Sequence, residues 1–248
     1  MMKTITVNNI NLLLPNSSSL LHSIESEQAT LNRYFDISFW KDNDLVVGQS
    51  KGRNITWFVQ SNLCDLPWVL RHYYRGGLIA KLINDRYLYS SLQNTRVYKE
   101  IALLEKMLSL GLPVPKPIAG KIQRKGFFYS ADLLMEKLDA RDLVALLKQS
   151  NFNETLWTNI GETIAEFHNQ SIYHSDLNAH NILIDYNNKV WLIDFDKCEL
   201  RENSSSWKND NMERLNRSFE KEKAKFTSFN YNNNCWNILR TAYLNRLN

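Results

Sequence analysis

Three cysteines, a nearly balanced charge and no long apolar run set the first limits on this 248-residue chain. Cys64, Cys198 and Cys235 are odd in number and far apart. That spacing provides neither a disulfide framework nor a zinc-ligand set, and free thiols in a reducing compartment are expected. No apolar run approaches the ~18 residues that a membrane span needs. Leu12-Leu13-Leu14 is too short, and too soon followed by Pro15 and a serine cluster, to read as the core of a signal peptide. With 30 Lys and Arg against 26 Asp and Glu, the formal charge is +4. No motif accompanies that mild excess, so no nucleic-acid partner is expected. The excess is unevenly placed: from Arg201 onward nine Lys or Arg face five Asp or Glu, which carries the whole surplus. A basic end of this kind suits anionic lipid headgroups, and it equally suits a solvated helix face.

What is present is an ordinary globular composition, 44% hydrophobic and 23% charged, on a chain long enough for one large domain or two lobes. Its most informative stretch runs from Ile172 to Asp196. Asp176 is followed by Asn181 five residues on and by Asp194 thirteen beyond that. Phosphoryl transfer needs a carboxylate to accept the hydroxyl proton, and an amide oxygen with a second carboxylate to hold magnesium on the nucleotide. Ile182-Leu183-Ile184 and Val190 to Ile193 are short β-rich runs around the polar Asp185 to Lys189. They predict a hairpin that brings Asn181 beside Asp194. Any one of the three alone reads as a turn or cap residue; the three together read as a catalytic and metal-binding set.

His174-Ser-Asp-Leu-Asn-Ala-His-Asn181 resembles the catalytic loop of the protein-kinase-like fold, with Ser175 where protein kinases carry Arg and Asn178 where they carry Lys. Asp194-Phe-Asp196 resembles the magnesium-binding triplet, with Asp196 in place of its Gly. These departures point away from a protein kinase governed by a phosphorylated activation loop. Together with Trp68-Val-Leu-Arg-His-Tyr-Tyr-Arg-Gly-Gly77 they are similar to the bacterial 3-deoxy-D-manno-octulosonic acid (Kdo) kinases of the lipopolysaccharide kinase family. The resemblance spans roughly residues 40 to 200. It implies an α+β, protein-kinase-like two-lobed fold: a mostly β N-lobe over residues 1–135 with one main helix, and a mostly helical C-lobe over 136–248. ATP and Mg2+ are the implied cofactors, with ATP lying between the lobes. The implied acceptor is the 4-hydroxyl of Kdo on a lipid A precursor, reached peripherally from the cytoplasmic side of the inner membrane.

On that resemblance the remaining chain acquires roles. Ile5 to Val7 and Ile10 to Leu14 are compatible with edge strands, though the first forty residues receive no function. Leu45 to Val47, Ile55 to Val59 and Trp68 to Tyr74 read as a meander. Its turn from Gly48 to Asn54, with Gly52 inside it, would lie over the nucleotide phosphates; a plain hairpin turn fits as well, because the three-glycine pattern is absent. Arg71 stands on the strand where protein kinases carry a phosphate-binding Lys, and Lys81 competes for that role. Leu78 to Leu88 reads as a short helix, and Thr95 to Leu110 as a longer one with Val97, Ile101, Leu104 and Leu108 on its buried face. Glu100 would orient the phosphate-binding cation, with Glu105 as the alternative. Two further strands lead to a hinge at Met135 to Leu138, where backbone groups would meet adenine.

Beyond the hinge, Asn153 is read as a helix N-cap and His168 as a packing residue. His174 would brace the catalytic loop. Arg75, Arg86 and His180 are candidate contacts to an anionic acceptor. The last helix carries Trp236, Leu239, Tyr243 and Leu247 as a core stripe or, alternatively, a membrane face. Two other functions remain open at this point: a phosphotransferase for a soluble aminoglycoside, amino alcohol or other sugar, whose pocket should be acidic, and a catalytically silent module that keeps the fold.

Overall fold

Short runs of alternating apolar residues pair into an antiparallel sheet, and longer runs of helical period surround it or form a unit of their own. The computed structural model describes residues 2–22, 28–51, 55–63, 65–75 and 85–248. These divide into one unit of Met1–Lys106 with Pro115–Leu138 and a second of Met107–Val114 with Asp139–Asn248. The α+β class read from the sequence holds.

The first unit contains β1 (Lys3–Val7), β2 (Ile10–Leu14), α1 (Gln28–Arg33), α2 (Ile37–Asp42), β3 (Val46–Lys51), β4 (Ile55–Val59), β5 (Trp68–His72), β6 (Tyr87–Leu88), α3 (Arg96–Ser109), β7 (Pro117–Lys125) and β8 (Phe128–Glu136). The strands run in the order β1-β2-β7-β8-β5-β4-β3, and β6 pairs with β8. Because strand side chains alternate, the sheet has two apolar faces. Leu13, Ile122, Ala131 and Leu133 meet Val97 and Ile101 of α3. A Cβ added at Gly120 would stand 2.7 Å from the Ile101 side chain, so this glycine permits the close approach of α3. The other face, including Leu12, Trp68, Leu70 and Leu134, is covered by Leu31, Phe35 and Trp40. The Trp40 and Trp68 rings meet edge to face at 6.0 Å. Residues before 43 thus provide two strands and a helical cover for the sheet.

Three local expectations change. Gly48 lies within β3, at a register shift, and pairs with Phe58; backbone pairing continues through Lys51, so the turn begins later. Gly52 and Lys81 lie outside the described residues, as does most of the stretch expected to be a short helix after Gly77. That stretch ends in a strand, β6, because Tyr87 pairs with Tyr129 of β8. On α3 the buried face passes through Met107, which is fully buried, where Leu108 was expected.

The second unit contains β9 (Ala140–Asp142), α4 (Leu143–Leu147), α5 (Glu154–Asn169), β10 (Ile172–Tyr173), β11 (Ile182–Asp185), β12 (Val190–Leu192), β13 (Glu199–Leu200), α6 (Ser205–Lys225) and α7 (Asn233–Arg246). Asn153 caps α5 by accepting from the Leu156 N–H, and Leu156, Ile160, Ile164 and Phe167 are buried on it. Gly161 lets α7 cross close by: a Cβ there would fall 2.2 Å from the Leu239 carbonyl oxygen. Leu239 and Tyr243 are buried, so the middle of the α7 stripe is core, while Trp236 and Leu247 at its ends are half-buried. β11 and β12 form the expected hairpin, and β9 flanks β11.

Candidate active site

In the second unit, the loop between β10 and β11 carries His174, Asp176 and Asn181, and the residues after β12 carry Asp194. His174 is buried and links the two stretches. The Asp176 backbone N–H donates to its Nδ1 at 3.2 Å, which requires Nδ1 to be unprotonated. The proton of the neutral ring is therefore on Nε2, which donates to the Ile193 carbonyl at 3.0 Å. Burial holds the His174 pKa below the ordinary histidine value, so one ring in one tautomer joins the residue before Asp194 to the amide of Asp176.

Asn181 reinforces that link. Its Nδ2 donates to the Asp176 carbonyl at 2.9 Å, and its own carbonyl accepts the Ile193 N–H at 3.0 Å. A carbonyl partner only accepts, so the amide group is oriented and Oδ1 is turned to the other side. Asp194 has φ 65°, a left-handed conformation that Asp tolerates better than most residues and that is often held at functional sites at a cost of about 1–3 kcal/mol. An amide oxygen and a carboxylate, as Asn181 and Asp194 carry, are the donor types that magnesium takes alongside water and phosphate.

A charged helix over roughly residues 207–226 is legible in the sequence and forms as α6, but the sequence reading gave it no role in holding this loop. One polar stripe of α6 follows residues 174 to 180 in order. Asn211 exchanges two hydrogen bonds with the His174 backbone, 3.3 Å to its N–H and 3.0 Å to its carbonyl. Arg214 Nη1 donates to Asp176 Oδ1 at 3.2 Å. Ser218 Oγ accepts from the Ala179 N–H at 2.9 Å, and Glu222 Oε1 lies 3.5 Å from His180 Nε2. The signal was available, since 211, 214, 218 and 222 recur at the 3-4-4 spacing of a helix face. It is a polar periodicity inside a charged helix, where only apolar stripes were sought.

The other expected residues fall as follows. His180 bridges Asp142, at 3.0 Å from Nδ1, and Glu222, so both ring nitrogens face carboxylates of its own unit. In the first unit, Arg71 Nη2 donates to both oxygens of Glu100 at 2.6 and 2.7 Å. Tyr73 Oη donates to the same carboxylate at 2.6 Å. Glu100 is only 2% exposed and is thus a buried charge with charged and neutral donors. Glu105, the alternative, accepts from the Ser17 N–H. The Arg75 guanidinium lies 5.2 Å from the centre of the Tyr87 ring, and Arg86 is exposed. At the expected hinge, the Glu136 and Lys137 N–H groups are already bonded to the Lys116 and Pro67 carbonyls.

The profile of the "Lipopolysaccharide kinase (Kdo/WaaP) family" matches residues 37–240. The chain is 46% identical over 210 residues to a 3-deoxy-D-manno-octulosonic acid kinase of Photobacterium profundum, covering 84% of this chain and 87% of that protein. It is 48% identical over 188 residues to the Vibrio cholerae protein of the same name, covering 75% and 79%. With the Haemophilus influenzae one it shares 44% identity over 224 residues, covering 88% and 91%. Among solved structures, WbdD with the kinase inhibitor LY294002 aligns at a TM-score of 0.46 and 15% identity, over 81% of this chain and 45% of that one. On the family profile and these relatives, the chain belongs to the lipopolysaccharide kinase (Kdo/WaaP) family.

Proposed function

We propose that the protein transfers the γ-phosphoryl group of ATP to the 4-hydroxyl of a Kdo residue on a lipid A precursor. The observation that carries this reading is the tie between the two loops: His174 and Asn181 both bond to the Asp176 backbone and to Ile193, next to Asp194. Asp176 is the base for the acceptor hydroxyl. Asn181 Oδ1 and Asp194 hold magnesium, which supplies charge neutralisation on the triphosphate when bound. His174, neutral and buried, holds the two loops in register.

Arg71, fixed by Glu100, is the cation for the nucleotide phosphates, with Lys81 as the other candidate; Gly48 and Gly52 flank the backbone that would approach them. Positioning and electrostatics rather than covalent chemistry provide the acceleration. The acceptor is a sugar acid on a phosphorylated lipid, and Arg75 and Arg86 are the cations assigned to it, with His180 nearby in sequence to the base. Arg217, Lys221, Lys223 and Arg240 are exposed on α6 and α7 and suit an anionic membrane surface, at about 1 kcal/mol for each basic side chain close to it. This supports peripheral association with the cytoplasmic face of the inner membrane.

The test is transfer from Mg-ATP to a Kdo-bearing lipid A precursor, compared with a soluble aminoglycoside. Transfer to the lipid alone is expected; transfer to the aminoglycoside alone would move the protein to the soluble-acceptor class.

A further inference from the structure

The loop position at which protein kinases carry Lys is Asn178 here, and that side chain is committed to the loop itself. Its Nδ2 donates to the Asp176 carbonyl at 3.0 Å, and its Oδ1 accepts the His180 N–H at 2.9 Å. No cation therefore comes from the loop beside the proton-accepting carboxylate. One comes from α6. Arg214 Nη1 lies 3.2 Å from Asp176 Oδ1, with the two side chains 46% and 58% exposed.

The neighbours of Arg214 on the same stripe are occupied by the loop backbone or by His180. Arg214 differs in touching a reacting group. Asn211 and Ser218, one turn to either side, hold residues 174 and 179 through backbone bonds, so the position of the Arg214 Cα relative to Asp176 is fixed on both flanks. Among the described residues its hydrogen bond is to Asp176, and a guanidinium has five N–H donors. The remaining donors are left for a planar or tetrahedral oxyanion.

We propose that Arg214 is a catalytic residue that binds the transferring phosphoryl group, an arginine finger supplied in cis by α6. The proposal rests on the kinase reading above. In the step, the acceptor oxygen forms its bond to the γ-phosphorus as the bond from that phosphorus to the β,γ-bridging oxygen breaks. The bonding electron pair leaves on the nucleoside diphosphate, and the hydroxyl proton passes to Asp176 Oδ2. An acceptor hydroxyl within hydrogen-bond reach of Oδ2 puts the in-line phosphoryl oxygens next to the guanidinium on Oδ1. The charge on those oxygens draws Arg214 from the carboxylate as transfer proceeds, which frees the base while stabilising the transition state.

The experiment compares wild type, Arg214→Lys and Arg214→Ala in transfer from Mg-ATP, with kcat and KM separated for both substrates, and with thermal melting as a control. Cis or trans arginine fingers contribute about 10³–10⁵-fold. The expected result is a loss of kcat of at least about 10²-fold in Arg214→Ala, with a partial loss in Arg214→Lys. Both KM values should stay within a few fold and the melting temperature should be unchanged. Added guanidinium ion should restore part of the Arg214→Ala rate and none of the Asp176→Ala rate. Unchanged kcat would reduce the contact to a surface ion pair, and a loss confined to the acceptor KM would make Arg214 an acceptor-reading residue; either overturns the proposal. If wild type ignores the Kdo-lipid, the acceptor assignment fails on its own, and the same comparison is read in ATP hydrolysis to water. Absence of both activities in wild type would overturn both readings.

Discussion

His174 accepts the Asp176 amide proton on Nδ1 and donates from Nε2 to Ile193. Asp176, the proposed base, and the residue before Asp194 are thereby held by one imidazole whose tautomer is fixed by a donor on one side and an acceptor on the other. A side chain that cannot do both should loosen the loops without removing any reacting group. His174→Ala is expected to lower kcat by at least about tenfold with nucleotide KM changed less, and to cost about 2 kcal/mol of stability from two lost hydrogen bonds and a cavity against Phe195. Paired kinetics and urea unfolding check this; an unchanged kcat in a destabilised protein would make His174 purely structural.

Glu100 receives Arg71 and Tyr73 in the first unit. Glu100→Gln removes the charge that fixes Arg71, and Mg-ATP affinity is expected to fall by about tenfold or more. Glu105→Gln should leave it unchanged. Isothermal titration of both variants separates the two carboxylates, and equal effects would sink the assignment of Arg71 as the phosphate cation.

Stability should depend on pH with opposite signs in the two units. Burial lowers the His168 pKa to about 3 and also lowers that of His174. The unfolded chain then binds protons that the folded chain does not, so stability is lost as pH falls below 6.5 toward about 3, on the order of 1 kcal/mol per pH unit for His168. His72 behaves oppositely. Burial lowers its pKa, but the hydrogen bond and charge of Asp132, with Asp85 adding, outweigh burial and raise it. That stabilisation is complete below 6.5 and lost as pH rises through the folded-state value. Urea midpoints from pH 4.5 to 8.5 should show a shallower acid limb in His168→Gln and a shallower alkaline limb in His72→Gln. Parallel shifts with unchanged slopes would contradict the linkage.

At the crossing of α5 and α7, Gly161→Ala would press a methyl group against the Leu239 carbonyl. Overpacking against backbone has no side chain to give way, and a loss of about 3 kcal/mol or more is expected. A urea midpoint within error of wild type would show that the helices separate freely.

Much of this was legible because it rests on local chemistry. The 182–193 hairpin, the Asn153 cap and the α5 stripe follow from periodicity and turn residues, and the pairing of Glu100 with Arg71 was foreseen from its place beside the buried face of α3. The helical cover formed by Leu31, Phe35 and Trp40 was not legible, since it depends on which sheet face lacks a partner. Gly48 was read as a turn because glycine signals turns, whereas here a Cβ would stand 3.2 Å from the Phe58 ring, a cross-strand constraint. The α6 stripe was obscured by the charge of the helix that carries it.

The most direct test of the account is Asp176→Ala measured in the same preparation for Mg-ATP binding and for phosphoryl transfer to the Kdo-lipid. Binding near that of wild type with transfer reduced by at least about 10²-fold is the predicted result. Near-normal transfer by the variant would contradict the assignment of Asp176 as the base, and with it the reading of the loop that His174 and α6 hold in place.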